Sequence, residues 1–210
     1  MTPAPRSSVL ALALALLPLA ACVNTTINSV PNLRLGYQSY SRVLVIGNFS
    51  NLAYRQAAEN KTCTEMNAKT TSDCVPSAGV LFPGEPVNAQ SLREAVETVG
   101  ADAVLVVGAT GTGSTQLWVP QTTRTTGSAS VFGNTVTGQA TTRTYGGYNV
   151  AKPWAGFEVV LYSVARDQQA WYANASAGGN AFSSWNDLID AASDKSVARL
   201  VEDGILRSRE

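Results

Sequence analysis

Short apolar runs alternate with segments of helical periodicity through the middle of the chain. Residues 43–46 are a continuous apolar run ended by Gly47, which predicts a strand buried on both faces. Residues 52–68 and 88–99 carry apolar side chains at helical spacing, and residues 101–108 form a second apolar run that predicts another buried strand. This alternation of strands and helices predicts an α/β fold with some parallel strand pairs.

Local signals indicate where these elements end. Asn88 or Ser91 is a candidate N-cap for the second helix, and Gly100 is placed to end that helix. Between the two helices, residues 80–82 (Val-Leu-Phe) predict a further short strand. Pro83 and Pro86 would stop this strand early, because proline cannot donate a hydrogen bond to a neighbouring strand.

Residues 110–152 differ from the rest of the chain, since Thr, Gly and Ser dominate and no acidic residue occurs. The sequence is nearly mirrored about Gly133 and Asn134, a two-residue turn signal that predicts a β-hairpin. Pairing residues whose numbers add up to 267 puts small apolar side chains on one face and polar ones on the other. It also sets Arg124 opposite Arg143, which is unfavourable unless both are solvated or share an anion. The alternative interpretation is a disordered low-complexity loop.

A second hairpin and a last helix are predicted towards the C-terminus. Residues 157–166 and 169–177 are more apolar and would turn at Asp167. Ser184 is a candidate cap for the helix, with Asp187 as its capping-box partner.

The whole pattern predicts one α/β (α+β) domain over residues 41–210. Its mixed β-sheet would carry three helices packed on it. A protruding β-hairpin rich in Thr and Gly would be inserted at about residues 115–152. A domain of this size can bury a full hydrophobic core.

The amino terminus has the features of an export signal. Residues 9–20 are almost entirely Leu and Ala, a run too short for a membrane span of about 20 residues, so residues 1–21 are predicted to be a signal peptide. Residues 19–22 (Leu-Ala-Ala-Cys) match the bacterial lipobox at every position. This resemblance implies cleavage between Ala21 and Cys22 and attachment of fatty acyl chains such as palmitate to the Cys22 thiol. The alternative is an ordinary secretory signal in which Cys22 is incidental.

The segment after the lipobox is polar and rich in Asn and Thr. Residues 22–40 are therefore predicted to be a tether between the lipid and the domain. Val23 stands where an aspartate would retain a lipoprotein at the inner membrane in bacteria with that sorting rule, which favours the outer membrane.

Cys63 and Cys74 remain as a pair once Cys22 is acylated. An exported protein enters an oxidising compartment, so these two residues are predicted to form a structural disulfide. The alternative is a redox or metal-binding pair, for which the spacing is not Cys-x-x-Cys and the chain offers no histidine.

Composition and motifs favour no catalytic chemistry. Fifteen basic and fifteen acidic residues balance, and no long basic run favours nucleic acid or an anionic membrane surface. The absence of histidine removes the commonest general base. The Gly-rich stretch over residues 108–113 lacks the lysine of a phosphate loop and is interpreted as a flexible strand exit. Glu94 with Glu97, and Asp187 with Asp190 and Asp194, are interpreted as solvated helix faces.

The order of elements resembles the small α/β domain of a group of envelope lipoproteins. The resemblance rests on residues 43–46, residues 80–83, the stretch 100–107 (Gly-Ala-Asp-Ala-Val-Leu-Val-Val), and the hairpin with Leu161-Tyr162-Ser163 and Ala170-Trp171-Tyr172-Ala173. The group includes the curli-secretion lipoprotein, the activators of penicillin-binding proteins and the amino-terminal domain of TolB. The resemblance implies an envelope assembly or adaptor role, and it carries no catalytic residue across.

These observations predict a non-enzymatic lipoprotein, without cofactor or metal, held by its lipid at the periplasmic face of the outer membrane. It would contact an envelope protein partner or another copy of itself, with Arg124, Gly133, Asn134 and Arg143 marking the candidate interaction hairpin. One alternative is an oligomeric membrane pore or secretion component in which several hairpins join. The other is a small-ligand-binding lipoprotein or a hydrolase with an unusual site.

Overall fold

The computed structural model describes residues 22–36, 38–82 and 87–209. The predicted signal peptide, Ala21, Pro83 and Pro86 lie outside the described residues. No helix in the described part is long and apolar enough to cross a bilayer.

In the described part of the chain, eight strands and three α-helices form a mixed α/β arrangement, which confirms the predicted class. The strands are β1 Asn24–Pro31, β2 Arg42–Asn48, β3 Asp73–Pro76, β4 Ala103–Val119, β5 Thr122–Phe132, β6 Thr135–Tyr145, β7 Tyr148–Ser163 and β8 Gln168–Gly178. The helices are α1 Leu52–Lys69, α2 Ala89–Val99 and α3 Trp185–Glu202.

Six of the strands form one mixed sheet in the order β1-β8-β7-β4-β2-β3. The strands β2, β3 and β4 are parallel, joined through α1 and α2, as the alternation of elements predicts. In the rest of the sheet, β4, β7, β8 and β1 follow one another and each strand is antiparallel to its neighbours. The remaining two strands, β5 and β6, pair only with each other and form the predicted hairpin.

Helices α1 and α3 cover one face of the sheet. Val45 of β2, Leu105 of β4 and Leu161 of β7 point to this face and are fully buried, where they meet Met66 of α1 and Leu200 of α3. Burying a side chain of this kind stabilises the fold by about 1.5–3 kcal/mol. This layer is the main hydrophobic core.

Helix α2 packs on the opposite face, over β2 and β4. Leu44, Ile46 and Val104 form a second core there with Ala95 of α2. Because β2 is buried on both faces, it appears in the sequence as a continuous apolar run rather than an alternating one.

Helix ends follow the predicted chemistry. The Asn88 side chain accepts hydrogen bonds from the backbone at the start of α2, and Gly100 ends this helix in the left-handed conformation. Ser184 and Asp187 form a reciprocal capping box at the start of α3.

The predicted tether over residues 22–40 is wrong for residues 24–31. Residues 24–31 form β1, an edge strand that pairs with β8 along its full length, so the folded domain begins well before residue 41. Alternate residues of β1, including Ile27, turn towards the core, and this period of two explains the strand despite its polar composition.

The predicted strand over residues 80–82 is also wrong. The short edge strand β3 lies earlier, beside β2, and a turn of 3₁₀-helix over Ser77–Gly79 follows it directly. Instead, the backbone N–H of Leu81 donates a hydrogen bond to the Ser77 carbonyl. Its side chain is buried in the second core, beneath α2. The Pro76 nitrogen has no proton to donate, which suits the end of an edge strand.

Candidate functional site: the attachment end and the hairpin

The candidate lipid-attachment residue lies directly at the edge of the folded sheet. Cys22 is exposed with a free thiol, and β1 begins only two residues later at Asn24. Asn24 pairs with Gly178, Gly178 pairs with Trp154, and Trp154 pairs with Gly113 across the sheet. Two residues span at most about 7 Å, so an acylated Cys22 would hold this end of the sheet close to its membrane.

A two-stranded ribbon leaves the sheet from this same end. Beyond the row of Trp154, β4 and β7 continue without β8 and pair only with each other as far as Val119 and Tyr148. After two residues that interrupt the pairing on each side, β5 and β6 extend the ribbon to a two-residue turn at Gly133 and Asn134. We call residues 114–153 the ribbon, and its outer part, residues 122–145, the hairpin.

One register governs the ribbon throughout. Paired residues add up to 267 both in the hairpin and in the inner part that joins the sheet. The hairpin therefore has the register expected from its sequence symmetry, and the stretch 108–113 is ordered strand rather than a flexible exit. The inner part is tightly packed at its base, because a Cβ on Gly113 would lie only 2.7 Å from the Trp154 ring.

The hairpin is solvent-exposed along its whole length. Its eleven residue pairs are exposed on both faces, and at its tip Phe132 is 92% exposed. Val131 and Val136 are also exposed there, on the other face. Hydroxyl pairs such as Thr125 with Thr142 bond across the strands, but a two-stranded hairpin alone is marginally stable in water. Both faces of the hairpin therefore lack a packing partner within the described part of the chain.

Arg124 and Arg143 are directly opposite each other on one face of the hairpin. Both are exposed, and within the described ranges neither has a carboxylate at ion-pair distance. Their juxtaposition is the feature that sequence symmetry indicated, and its charge is uncompensated within this part of the molecule.

Strand β1 is fastened to α3 by a polar network that the sequence did not reveal. The Ser29 hydroxyl donates to Asp203 Oδ2 at 2.5 Å and accepts from Arg199 Nε at 2.7 Å. Trp171 Nε1 donates to the same carboxylate oxygen at 2.7 Å. Because Ser29 and Trp171 are far in sequence from Arg199 and Asp203, no local pattern relates the strands to this pair.

Ser29→Ala should loosen β1 by removing the hydroxyl that joins this strand to Asp203 and Arg199. A hydrogen bond to a charged group contributes about 1.5–3 kcal/mol, so we expect amide exchange in β1 to accelerate at least tenfold. Hydrogen exchange measured by mass spectrometry tests this, with Asn28→Ala on the exposed face of the same strand as the control. Equal protection of β1 in both variants would contradict the role of Ser29.

The predicted disulfide is present. Cys63 of α1 and Cys74 of β3 are bonded, with their Cα atoms 5.1 Å apart. The bond connects a core helix to the short edge strand β3, which has few other constraints. This placement indicates a structural role.

A buried ion pair lies where β2 ends, and sequence analysis missed it. Glu59 of α1 is fully buried and accepts hydrogen bonds from Arg55 Nε at 2.9 Å, Ser77 Oγ at 2.6 Å and the Gly47 N–H at 3.0 Å. Its other oxygen accepts from the Ala78 N–H at 2.9 Å. Arg55 and Glu59 have helical i,i+4 spacing, which predicts a surface pair as readily as a buried one.

Asp187 and Asp194 of α3 have structural partners within the described part of the chain. Asp187 caps the helix, and hydrogen bonds from Ser184 lower its pKa. Asp194 pairs with Lys69 of α1. Burial raises the pKa of Asp190. Nearby, hydrogen bonds from Lys61 and Lys69 hold the pKa of Glu65 at about 2.

In residues 22–36, 38–82 and 87–209, no three metal-ligating side chains cluster. A cavity of about 300 Å³ lies at the other end of β1, lined by Pro31, Tyr40 and Asp203 among others. The Asp203 carboxylate in this cavity is already engaged by Ser29, Trp171 and Arg199.

Comparison with known proteins gives only distant likenesses. No family model matches the chain, and no curated protein matches it. Among solved structures, the PelC dodecamer from Paraburkholderia phytofirmans is 13% identical, covering 89% of this chain and 100% of that chain with a TM-score of 0.47. Lipoprotein GNA1162 from Neisseria meningitidis is 12% identical, covering 77% of this chain and 99% of that chain with a TM-score of 0.41. Neither is a protein of the curli, penicillin-binding-protein-activator or TolB group, so that resemblance stays a prediction from sequence.

Proposed function

We propose that the chain is a non-enzymatic lipoprotein of the bacterial cell envelope that acts by protein–protein contact. Acylated Cys22 would anchor it at the periplasmic face of the outer membrane, and the hairpin would join it to an envelope partner or to further copies of itself. The observation that carries the proposal is the ribbon: a long, ordered, two-stranded projection exposed on both faces, starting beside the candidate anchor.

The strand edges of the hairpin support a contact role. Each strand of a two-stranded ribbon has one edge whose backbone N–H and C=O groups face away from its partner. Both β5 and β6 present such an edge over eleven residues. Proteins that remain monomeric usually protect long edges with charges, proline or bulges. The hairpin has only Arg124 and Arg143 as charges and no proline, so pairing with another strand is the natural use of these edges.

Deleting residues 122–145 should remove the contact while leaving the domain folded. The deletion joins Gln121 to Gly146 and Gly147, whose positive φ angles suit a tight turn that closes the inner ribbon. Native mass spectrometry and crosslinking of full-length and deleted protein, solubilised from the host envelope, would compare their assemblies. We expect the full-length chain to form a complex and the deleted chain to run as a monomer.

Two controls make this result interpretable. An unchanged urea midpoint for the deleted chain would show that the domain is intact. The intact mass of the mature protein would show whether it begins at an acylated Cys22. Identical partners and stoichiometry before and after the deletion would refute the hairpin's contact role.

The length of the hairpin favours a membrane pore as a second candidate function. Its two arms of eleven residues match the 9–11 residues of a membrane-crossing strand. In that case several hairpins would join within the bilayer. Conductance across planar bilayers is the discriminating measurement, and silence at every protein concentration would eliminate this candidate.

A further inference from the structure

All the charge and the largest apolar side chain of the hairpin lie on one of its two faces. Residues with even numbers in β5 pair with residues of odd number in β6, so Arg124, Phe132, Arg143 and Tyr145 share a face. We call these four residues the arginine face. Tyr145 lies at the base, the two arginines lie two residue pairs further out, and Phe132 lies at the tip.

We propose that the arginine face docks on the anionic phospholipid surface of the membrane that holds Cys22. This inference rests on the proposed lipid anchoring, which brings the base of the ribbon to the bilayer, and it goes beyond the proposed contact role. The occupant is a lipid surface rather than a protein, because position, charge and side-chain type each favour it.

Position is the first argument. The ribbon emerges in the row that contains Asn24, two residues from Cys22. An acylated Cys22 therefore places the start of the ribbon at the membrane without any intervening linker. A surface projecting from that end meets lipid before it meets a soluble partner.

Charge is the second argument. Residues 110–152 contain Arg124, Arg143 and Lys152 but no acidic residue, so the ribbon is purely cationic. The two arginines face each other without a carboxylate partner in the described ranges. A phosphate shared between two guanidinium groups would turn this repulsion into attraction, and guanidinium groups suit phosphate because they bind it through two parallel hydrogen bonds.

Side-chain type is the third argument. Tyrosine is enriched at membrane–water interfaces, and phenylalanine is common on the apolar side of interfacial segments. Phe132 is 92% exposed and Tyr145 is 56% exposed, although both would be costly to leave in water. On this face the arginine pair binds lipid headgroups, Tyr145 lies at the membrane–water interface, and Phe132 at the tip inserts into the bilayer.

Vesicle binding of an acyl-free protein tests the inference independently of the anchor. The mature chain, residues 22–210, carrying Cys22→Ser is sedimented with vesicles of phosphatidylcholine alone or with about one-third phosphatidylglycerol. We expect binding to the anionic vesicles only. Each arginine near such a surface contributes about fivefold in partitioning, so Arg124→Gln/Arg143→Gln should weaken binding about 25-fold. Phe132→Ala should weaken it further at any salt concentration, since its contribution is apolar.

A matched double variant controls for total charge. Arg34→Gln/Arg166→Gln removes the same two charges from exposed positions at the opposite end of the sheet. Its binding should change less than twofold. Equal losses in the two double variants, or equal binding to both kinds of vesicle, would overturn the proposal. The tested chain has no lipid, so these outcomes do not depend on acylation or self-association. A failure of acylation is seen in the intact mass, and a failure of self-association is seen in native mass spectrometry.

Discussion

Glu59→Gln lowers the free energy of unfolding by about 3–5 kcal/mol, the largest effect we expect from one substitution in this domain. The carboxylate accepts four hydrogen bonds in a site without solvent, and the neutral amide cannot accept at both atoms. Arg55, whose side chain is only 12% exposed, would keep its charge without a counter-ion. Urea unfolding of the oxidised domain measures the loss.

Glu94→Gln is the matched control for this substitution. Glu94 has the same chemistry but is exposed on α2, where it accepts one hydrogen bond from Gln90. Its replacement should change stability by less than about 0.5 kcal/mol. If Glu59→Gln lowers the free energy of unfolding by less than about 1 kcal/mol, the surrounding structure rearranges to compensate for the lost ion pair, contrary to our expectation.

Cys63→Ala/Cys74→Ala should lower the free energy of unfolding by about 3 kcal/mol. The disulfide joins residues separated by 11 positions, and closing a loop of that length restricts the unfolded chain by about this amount in the chain-entropy model. Unfolding under oxidising and reducing conditions measures the loss.

Chemical reduction separates the crosslink from the side chains. Adding a reductant should destabilise the natural sequence to nearly the same extent as the double substitution, and it should leave the double variant unchanged. Cys22→Ser should have no effect on either, because the Cys22 thiol is free and exposed. If reduction does not lower the free energy of unfolding of the natural sequence, the disulfide contributes little to the stability of the domain.

Much of this fold is predictable because its signals are local. The apolar runs of β2 and β4 and the caps of α2 and α3 depend on residues close together in sequence. The hairpin is predictable for a different reason, since its symmetry about Gly133 fixes the register of every pair outward from the turn. That same register reaches inward to the sheet.

The errors arise where non-local pairing decides the structure. β1 has a polar sequence typical of a linker, and only the edge of β8, more than a hundred residues away, makes it a strand. Residues 80–82 are apolar enough for a strand, but the position beside β2 is taken by β3, which the disulfide fixes against α1. Local propensity is a weak guide when a distant edge supplies the hydrogen bonds.

The candidate site was predictable in part. The lipobox cysteine and the opposed arginines follow from sequence, whereas their proximity to the same end of the sheet depends on three strand registers together. The sequence contains no long run of basic residues, so it does not by itself indicate an anionic membrane surface. In a hairpin, two isolated arginines nineteen positions apart become neighbours.

The pairing of β1 also has a mechanical consequence. If Cys22 carries the proposed lipid, a force that pulls the protein away from the membrane would act on Cys22 and be directed along β1. The strand is antiparallel to β8 over eight residue pairs, so such a force shears the whole ladder at once instead of opening it one hydrogen bond at a time. The hydrogen bonds of Ser29 also link this strand to α3. Tension would therefore be borne by the sheet as a unit, and detachment would require the amino-terminal strand to break away in a single step.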